Sequence, residues 1–215
     1  MDDFPAMRAD LVDDLVRGGH VRTSAVERAF RAVCRELFVT EDRKHAAYVD
    51  APLPIPMGQT ISAPSMIAIQ LEEADLREGL KVLDVGTGSG YNAALLAEVV
   101  GPANVVSIER HPDLLAFARE NLRRAGYEVK LVAGDGTLGY EPEAPYDRIV
   151  VTAGAPRITR SWIRQTKVGG RIVAPIGRST FSQVLVTATK TAEDKVVTRE
   201  GTPCAFVPLV GKEGW

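Results

Sequence analysis

The chain has 215 residues, 45% of them hydrophobic, enough for one domain with a sizeable core and no covalent staples. Its 26 basic and 28 acidic residues leave a net charge of -2, and the arginines between Arg22 and Arg43 alternate with Glu27, Glu36, Glu41 and Asp42. That mixture reads as a solvated surface and excludes the one-sided basic stripe of a nucleic-acid binder. The two cysteines, Cys34 and Cys204, are too few and too far apart for a disulfide framework or a thiolate metal site, and no metal is expected. The N-terminal stretch MDDFPAMRADLVDDL is acidic and lacks a long apolar run, which argues against a signal peptide or membrane anchor and for a reducing cytoplasm.

From Ala6 to Gly18, Leu11, Val12, Leu15 and Val16 recur at helical spacing before the stop Gly18-Gly19. Ser24 with Glu27 suggests a capping box opening a second helix, with Val26, Ala29, Phe30 and Val33 on one face. The three prolines of Asp50 to Gly58 predict an extended loop, because each fixes φ and removes an amide donor. Pro64 suits the first turn of a helix running to about Ala74. Strand and helix then alternate: strand Lys81 to Val85, helix Tyr91 to Val100, strand Asn104 to Glu109, helix Pro112 to Ala125, and strands Glu128 to Val132 and Tyr146 to Thr152. Apolar runs such as VVSI and RIVV are what parallel strands covered on both faces require. A helix Ile158 to Lys167 and a break at Gly169-Gly170 precede strands Arg171 to Ile176, Gln183 to Thr189 and one near Phe206, whose short turns predict an antiparallel end. The expected fold is a mostly parallel, doubly wound α/β sheet, in a single domain whose N-terminal part (1–79) is a helical appendage on the core (80–215).

The segment VLDVGTGSGY, Val82 to Tyr91, places glycines between a strand and a helix, so that backbone amides and a helix dipole face a ligand. Gly86, Gly88 and Gly90 form G-x-G-x-G, whereas the dinucleotide fingerprint needs G-x-G-x-x-G and meets Tyr91 at its last position. Asp84 would repel a pyrophosphate but is tolerated beside S-adenosylmethionine, which carries an ammonium and a sulfonium. Glu109, nineteen residues after Gly90, stands where a carboxylate accepts ribose hydroxyls, and Asp135 of Gly134-Asp135-Gly136 where one accepts the adenine amino group. Each residue alone also fits a plain turn former. Their placement at three successive strand ends favours a Rossmann-like domain binding S-adenosylmethionine.

The turn after the fourth strand, Thr152-Ala153-Gly154-Ala155-Pro156, offers no acid or amide, and none of His20, His45 and His111 falls in these loops, so each histidine reads as helix-flanking or surface. An acceptor that is itself a nucleophile needs no base, and a carboxylate with a pKa of about 4 is ionised at neutral pH. Ser62 has two readings. It stands two residues before Pro64, and spacing alone favours a helix N-cap, stabilising by about 1 kcal/mol; the alternative is a neutral donor orienting an acceptor carboxylate.

Several segments, in order along nearly the whole chain, resemble the protein-L-isoaspartate O-methyltransferase family. They are Phe30-Arg31-Ala32-Val33 with Arg35-Glu36-Leu37-Phe38-Val39, Ala47 to Ile55 (AYVDAPLPI), Gly58 to Pro64 (GQTISAP), VLDVGTGSGY, Ile108-Glu109-Arg110, Gly134-Asp135-Gly136, Gly169-Gly170-Arg171, and Val207-Pro208-Leu209 with Gly214-Trp215. GQTIS is the discriminating part, since the glycine loop is shared by many methyltransferases. The resemblance implies methylation of the α-carboxyl of L-isoaspartyl residues in aged proteins and peptides, with S-adenosylmethionine as donor and S-adenosylhomocysteine as product, by a monomer with neither nucleic-acid nor membrane partners. By the same likeness Ser62 is the active-site serine, which reverses the preference for the cap. Gln59, Thr60 and Ile61 cover the cofactor, and Asp84, Gly86, Thr87, Gly88, Ser89, Gly90, Glu109, Arg110, Asp135 and Gly136 bind it. Val207 and Pro208, with Ser62, hold the substrate. Asp84 stands where the family more often has Glu, Cys34 replaces a common proline, and Ser65 replaces a bulkier residue at the pocket rim. Other readings are a carboxyl methyltransferase acting on ordinary aspartate of a biosynthetic peptide, a non-catalytic S-adenosylmethionine-binding module, and an NAD dehydrogenase.

Overall fold

The computed structural model describes residues 3–179 and 182–215; Met1 and Asp2 of the acidic N-terminal stretch lie outside the described residues. Helix α1 (Phe4–Arg17) starts with Asp3 accepting from the Ala6 amide and Pro5 in the first turn, where a missing N–H costs nothing. Helix α2 (Ser24–Ala32) corrects the expected capping box: Thr23, not Ser24, is the N-cap and accepts from Val26 N, while Glu27 pairs with Arg31 one turn on. Glu72 accepts from the amides of Arg22 and Thr23 and from the Thr23 hydroxyl, tying this turn to helix α3 (Pro64–Ala74). The mixed-charge stretch is likewise not all solvated, because Arg35 is fully buried.

The proline-rich segment is more ordered than a loop. Strands β1 (Leu53–Ile55) and β2 (Gln59–Ile61) pair antiparallel, with Pro54 opposite Thr60. Pro54 is tolerated because this is a two-stranded sheet, where either strand is an edge.

The main sheet has the order β5-β4-β3-β6-β7-β8-β9. Strands β3 (Val82–Val85), β4 (Val105–Glu109), β5 (Lys130–Ala133), β6 (Tyr146–Val151) and the inner part of β7 (Thr166–Ser179) are parallel; β8 (Ser182–Ala192) and β9 (Lys195–Cys204) continue antiparallel. Helices α4 (Tyr91–Val100) and α5 (Pro112–Ala125) connect the first three parallel strands, and α6 (Arg160–Gln165) precedes β7. Three expectations are corrected here. Helix α6 is shorter than Ile158 to Lys167. Gly169-Gly170 lies inside β7, where the register against β6 jumps from Tyr146↔Thr166 to Arg148↔Arg171 and the extra residues bulge out. The last strand ends at Cys204, before Phe206, which is buried beyond it.

Side chains alternate across the sheet as strand geometry requires. Val82 joins the cluster that includes Leu71, Leu95 and Leu96, whereas Leu83 and Val85 join the opposite cluster around Ile149 and Trp162. Asp84 shares the Val82 side, the side of α4. The sheet order reverses between β3 and β6, which makes their carboxyl ends the place where a ligand crevice opens.

Candidate active site

The loop after β3 is built from glycine because three positions have positive φ: 96° at Gly86, 55° at Gly88 and 90° at Gly90. Gly86 and Thr87 donate their amides to the Ile108 carbonyl of β4, at 3.0 and 3.3 Å, which pins the loop to the neighbouring strand end. Gly90 is the N-cap of α4 and supplies no side-chain acceptor; the Tyr91 amide donates to Ser89 Oγ at 3.4 Å, and the amides that follow it in the first turn are left to the ligand side.

Asp84 lies beneath this loop, fully buried. It accepts from Asn92 Nδ2 at 2.8 Å and Ser107 Oγ at 2.7 Å, and Ser107 in turn shares a 2.6 Å hydrogen bond with Thr87 Oγ1. Burial pushes its carboxyl up to about 6, against the lowering effect of those two hydrogen bonds; the nearby Glu109 charge adds to the rise. Glu109, at the end of β4, accepts from Gly88 N (3.1 Å), Arg110 N (2.8 Å) and His111 N (3.1 Å).

A solvent-open cavity of about 950 Å³, its mouth included, lies above these groups. One wall is Gln59, Thr60, Ile61 and Ser62 from the β1–β2 hairpin and its exit. Another is the loop Gly86, Thr87, Gly88 and Ser89, and a third is Glu109, Arg110 and His111. Gly136 contributes to the lining, its carbonyl held by Trp162 Nε1 at 2.9 Å, and Val207 and Pro208 close the far side. A second, smaller solvent-open cavity of about 440 Å³, its mouth included, adjoins it, lined by Pro52, Met66, Ala205 and Phe206 among others. Thr60, Ser62, Thr152 and Val207 line both.

Of the residues expected at the site, Asp84, Gly90 and Asp135 do not line the main cavity. Asp84 and Gly90 support the loop from behind, Gly90 packing its open face toward Leu122. Asp135 is engaged elsewhere. One carboxylate oxygen accepts from Thr137 N and Oγ1 and the other from Lys212 N, so it anchors the C-terminal segment. Burial alone would raise its pKa, but the Lys212 amide and the Thr137 donors outweigh that and hold it below the usual carboxylate range. The same segment is tied to the turn after β6 by Gly154 N to Val207 O, Leu209 N to Gly154 O and Trp215 Nε1 to Gly154 O. Ser62 is not a helix cap: the N-cap of α3 is Ala63, which has no side-chain acceptor to offer, and the first-turn amide of Ser65 is taken by Asp50 Oδ1 instead. His111 is more than a flanking residue, since it lines the cavity as the N-cap of α5. Tyr91, Asn92 and Thr152 also line it and were not expected. The G-x-G-x-G-Y-N spacing held a signal for the first two, since the opening residues of the helix face the same ligand.

The groups present fit a cationic adenosyl cofactor. Two carboxylates, Asp84 and Glu109, stand beneath and beside the loop, and Asn92 Oδ1 is a buried acceptor without a partner. Among the described residues no group of three or more His, Cys, Asp or Glu is placed to hold a metal ion.

The family model for protein-L-isoaspartate (D-aspartate) O-methyltransferase matches residues 6–214. The chain belongs to this family. Among members of the protein-L-isoaspartate O-methyltransferase family, that of Hyperthermus butylicus is 52% identical over 99% of this chain and 92% of its own length, and that of Methanopyrus kandleri 50% identical over 99% and 95%. A solved protein-L-isoaspartate O-methyltransferase superposes with a TM-score of 0.87 at 32% identity, covering 96% of this chain and 67% of its own. A putative family member from Plasmodium falciparum, crystallised with S-adenosyl-L-homocysteine, gives 0.83 at 26% identity over 98% of this chain and 99% of its own.

Proposed function

We infer that the chain is a protein repair methyltransferase, transferring a methyl group from S-adenosylmethionine to the α-carboxyl of L-isoaspartyl residues in aged proteins and peptides. The observation that carries this reading is the position of Ser62 in the wall shared by two adjoining cavities, in a chain of this family. The larger cavity takes the donor and the smaller the acceptor side chain.

When bound, S-adenosylmethionine supplies an electrophilic methyl group on a sulfonium. The chain's own task is positioning. Gln59, Thr60 and Ile61 would cover the donor, the Gly86–Gly90 loop and the α4 amides would hold its amino-acid end, and Glu109 would accept from the ribose hydroxyls, with Arg110 and Gly136 as the residues next to the base. The acceptor carboxylate is ionised at neutral pH, so no base is needed. Ser62 donates its hydroxyl to one carboxylate oxygen and leaves the other to attack; a neutral donor orients the nucleophile without quenching it. Val207 and Pro208, held through Gly154 and Asp135, bind the peptide backbone beside it.

The chain works as one domain and a monomer in the cytoplasm, on protein and peptide substrates alone. In support of one domain, a single apolar cluster runs from Leu11 to Leu185 through both the N-terminal part and the sheet. The test pairs an L-isoaspartyl peptide with its aspartyl counterpart: base-labile methyl incorporation is expected in the first only. Equal labelling of both defeats the repair reading in favour of a general carboxyl methyltransferase.

A further inference from the structure

Arg35 is fully buried, yet it forms no ion pair among the described residues. The neighbouring carboxylate of Glu36 is taken by the Tyr48 hydroxyl. Burying a guanidinium without a carboxylate costs far more than burying an apolar side chain of the same size. A residue serving only to fill this part of the core would be Met or Leu.

Arg35 touches three things. Nε donates to the Ala47 carbonyl and Nη2 to the Ser62 carbonyl, each at 2.9 Å, and the guanidinium lies 4.9 Å from the centroid of the Tyr91 ring. Tyr91 is the first residue of α4, directly after the glycine loop, and is itself clamped by Phe30 and Phe38. Local structure does little for Ser62. Its strand partner register ends at Ile61, α3 starts at Pro64, and Ala63 caps nothing with its side chain. The adjacent tie, Ser65 N to Asp50 Oδ1 at 2.9 Å, comes from the same 47–50 segment whose Ala47 carbonyl Arg35 holds. One rigid planar group thus joins the main chain of the acceptor-side serine to the first turn of the donor-side helix.

We propose that Arg35 is a positioning residue for methyl transfer, whose buried guanidinium fixes the Ser62 main chain relative to Tyr91 and the cofactor loop. The proposal rests on Ser62 orienting the acceptor carboxylate. Displacing a reacting group by about 1 Å costs on the order of a hundredfold in rate, which sets the scale of what this tie protects.

The experiment is a double-mutant cycle of Arg35→Met and Ser62→Ala in the full chain, read by turnover on an isoaspartyl peptide and by S-adenosylhomocysteine affinity. Arg35→Met is expected to lower kcat on the order of tenfold to a hundredfold. S-adenosylhomocysteine affinity is expected to hold within about threefold, since the loop amides, Glu109 and Asp84 are untouched. On the Ser62→Ala background the same change lowers kcat by no more than about twofold. Arg35→Lys, which keeps the charge but not the fork, falls between wild type and Arg35→Met. If Met leaves the chain unfolded, Lys is read through the same cycle. Full additivity with a slow Ser62→Ala overturns the proposal alone, as does a kcat loss matched by an equal loss of S-adenosylhomocysteine affinity, which marks a packing role. A fully active Ser62→Ala removes the Ser62 reading and the proposal with it.

Discussion

Replacing Asp84 by Asn separates the stability of the cofactor site from its function. In the folded chain the Asp84 carboxyl is raised from 3.8 to about 6, chiefly by burial. The folded state therefore binds its proton more tightly than the unfolded state. Between about pH 4 and pH 6 the folded form holds more protons, so stability falls as pH rises through that window and the loss is complete above it. The difference between the two values corresponds to about 3 kcal/mol, the penalty of holding an ionised carboxylate there at neutral pH. Asn removes that penalty but accepts only one of the bonds from Ser107 and Asn92, a cost of about 1–3 kcal/mol that does not depend on pH. Urea unfolding of the ligand-free protein near pH 4 and pH 8 should show the variant gaining about 3 kcal/mol on wild type between the two. S-adenosylhomocysteine, whose ammonium favours the ionised form, should bind wild type more weakly as pH falls below about 6, with a flatter profile in the variant. A stability difference equal at both pH values would show that Asp84 is not held as a buried, destabilised charge at neutral pH.

Ser62→Ala should lower kcat by about tenfold to a hundredfold, the value of a hydrogen bond to a charged oxygen, with S-adenosylhomocysteine affinity little changed; steady-state kinetics and calorimetry separate the two. Gly86→Ala places a Cβ 2.7 Å from Thr152 Oγ1 at a φ of 96°, so calorimetry should show S-adenosylhomocysteine affinity falling about tenfold or more. Trp162→Phe removes one of the two donors to the Gly136 carbonyl, leaving the Gly139 amide, which should cost about 1 kcal/mol in unfolding experiments and weaken cofactor binding, with the KM for the isoaspartyl peptide unmoved.

The glycine loop and the elements around it, the proposed donor half of the site, were legible in the sequence because local chemistry dictates their fold. Glycines at positive φ, an apolar strand before them and an apolar helix after them lead to one arrangement; α4 and α5 begin and end where their prolines and glycines indicate, and α3 begins at its proline but is closed by Asp75 in the left-handed conformation. What could not be read depends on contacts distant in sequence. The hairpin at Leu53–Ile61 was masked by Pro54, which is permitted only because its sheet has two strands. Gly169-Gly170 looked like a break, but neighbouring β6 keeps the strand running and a bulge absorbs the glycines. Asp135 sits in a turn and accepts from the Thr137 amide within it, as GDG predicts, but its other oxygen holds the amide of Lys212, 77 positions away. Arg35 lies in a run of mixed charge that looked solvated, and only the arrival of Ser62 and Tyr91 around it makes it interior.

The two halves of the reaction are therefore built by different rules. The donor site is a property of the parallel sheet at its switch point, assembled from β3, β4 and the turns that follow them, so any chain with this topology and these glycines has it. The proposed acceptor site, Ser62 with Val207 and Pro208, has no such scaffold. Ser62 comes from the exit of an N-terminal hairpin, Val207 and Pro208 from a segment beyond the last strand, and they meet across Thr152 at the end of β6. Their relative placement hangs on a few long-range ties: Arg35 to Ser62, Gly154 to Val207 and Leu209, and Asp135 to Lys212. Substitutions at those ties should act on acceptor geometry and leave donor affinity standing, whereas substitutions in the glycine loop should do the reverse. Choice of methyl acceptor then depends on how the two ends of the chain are pinned over a donor site that stays constant.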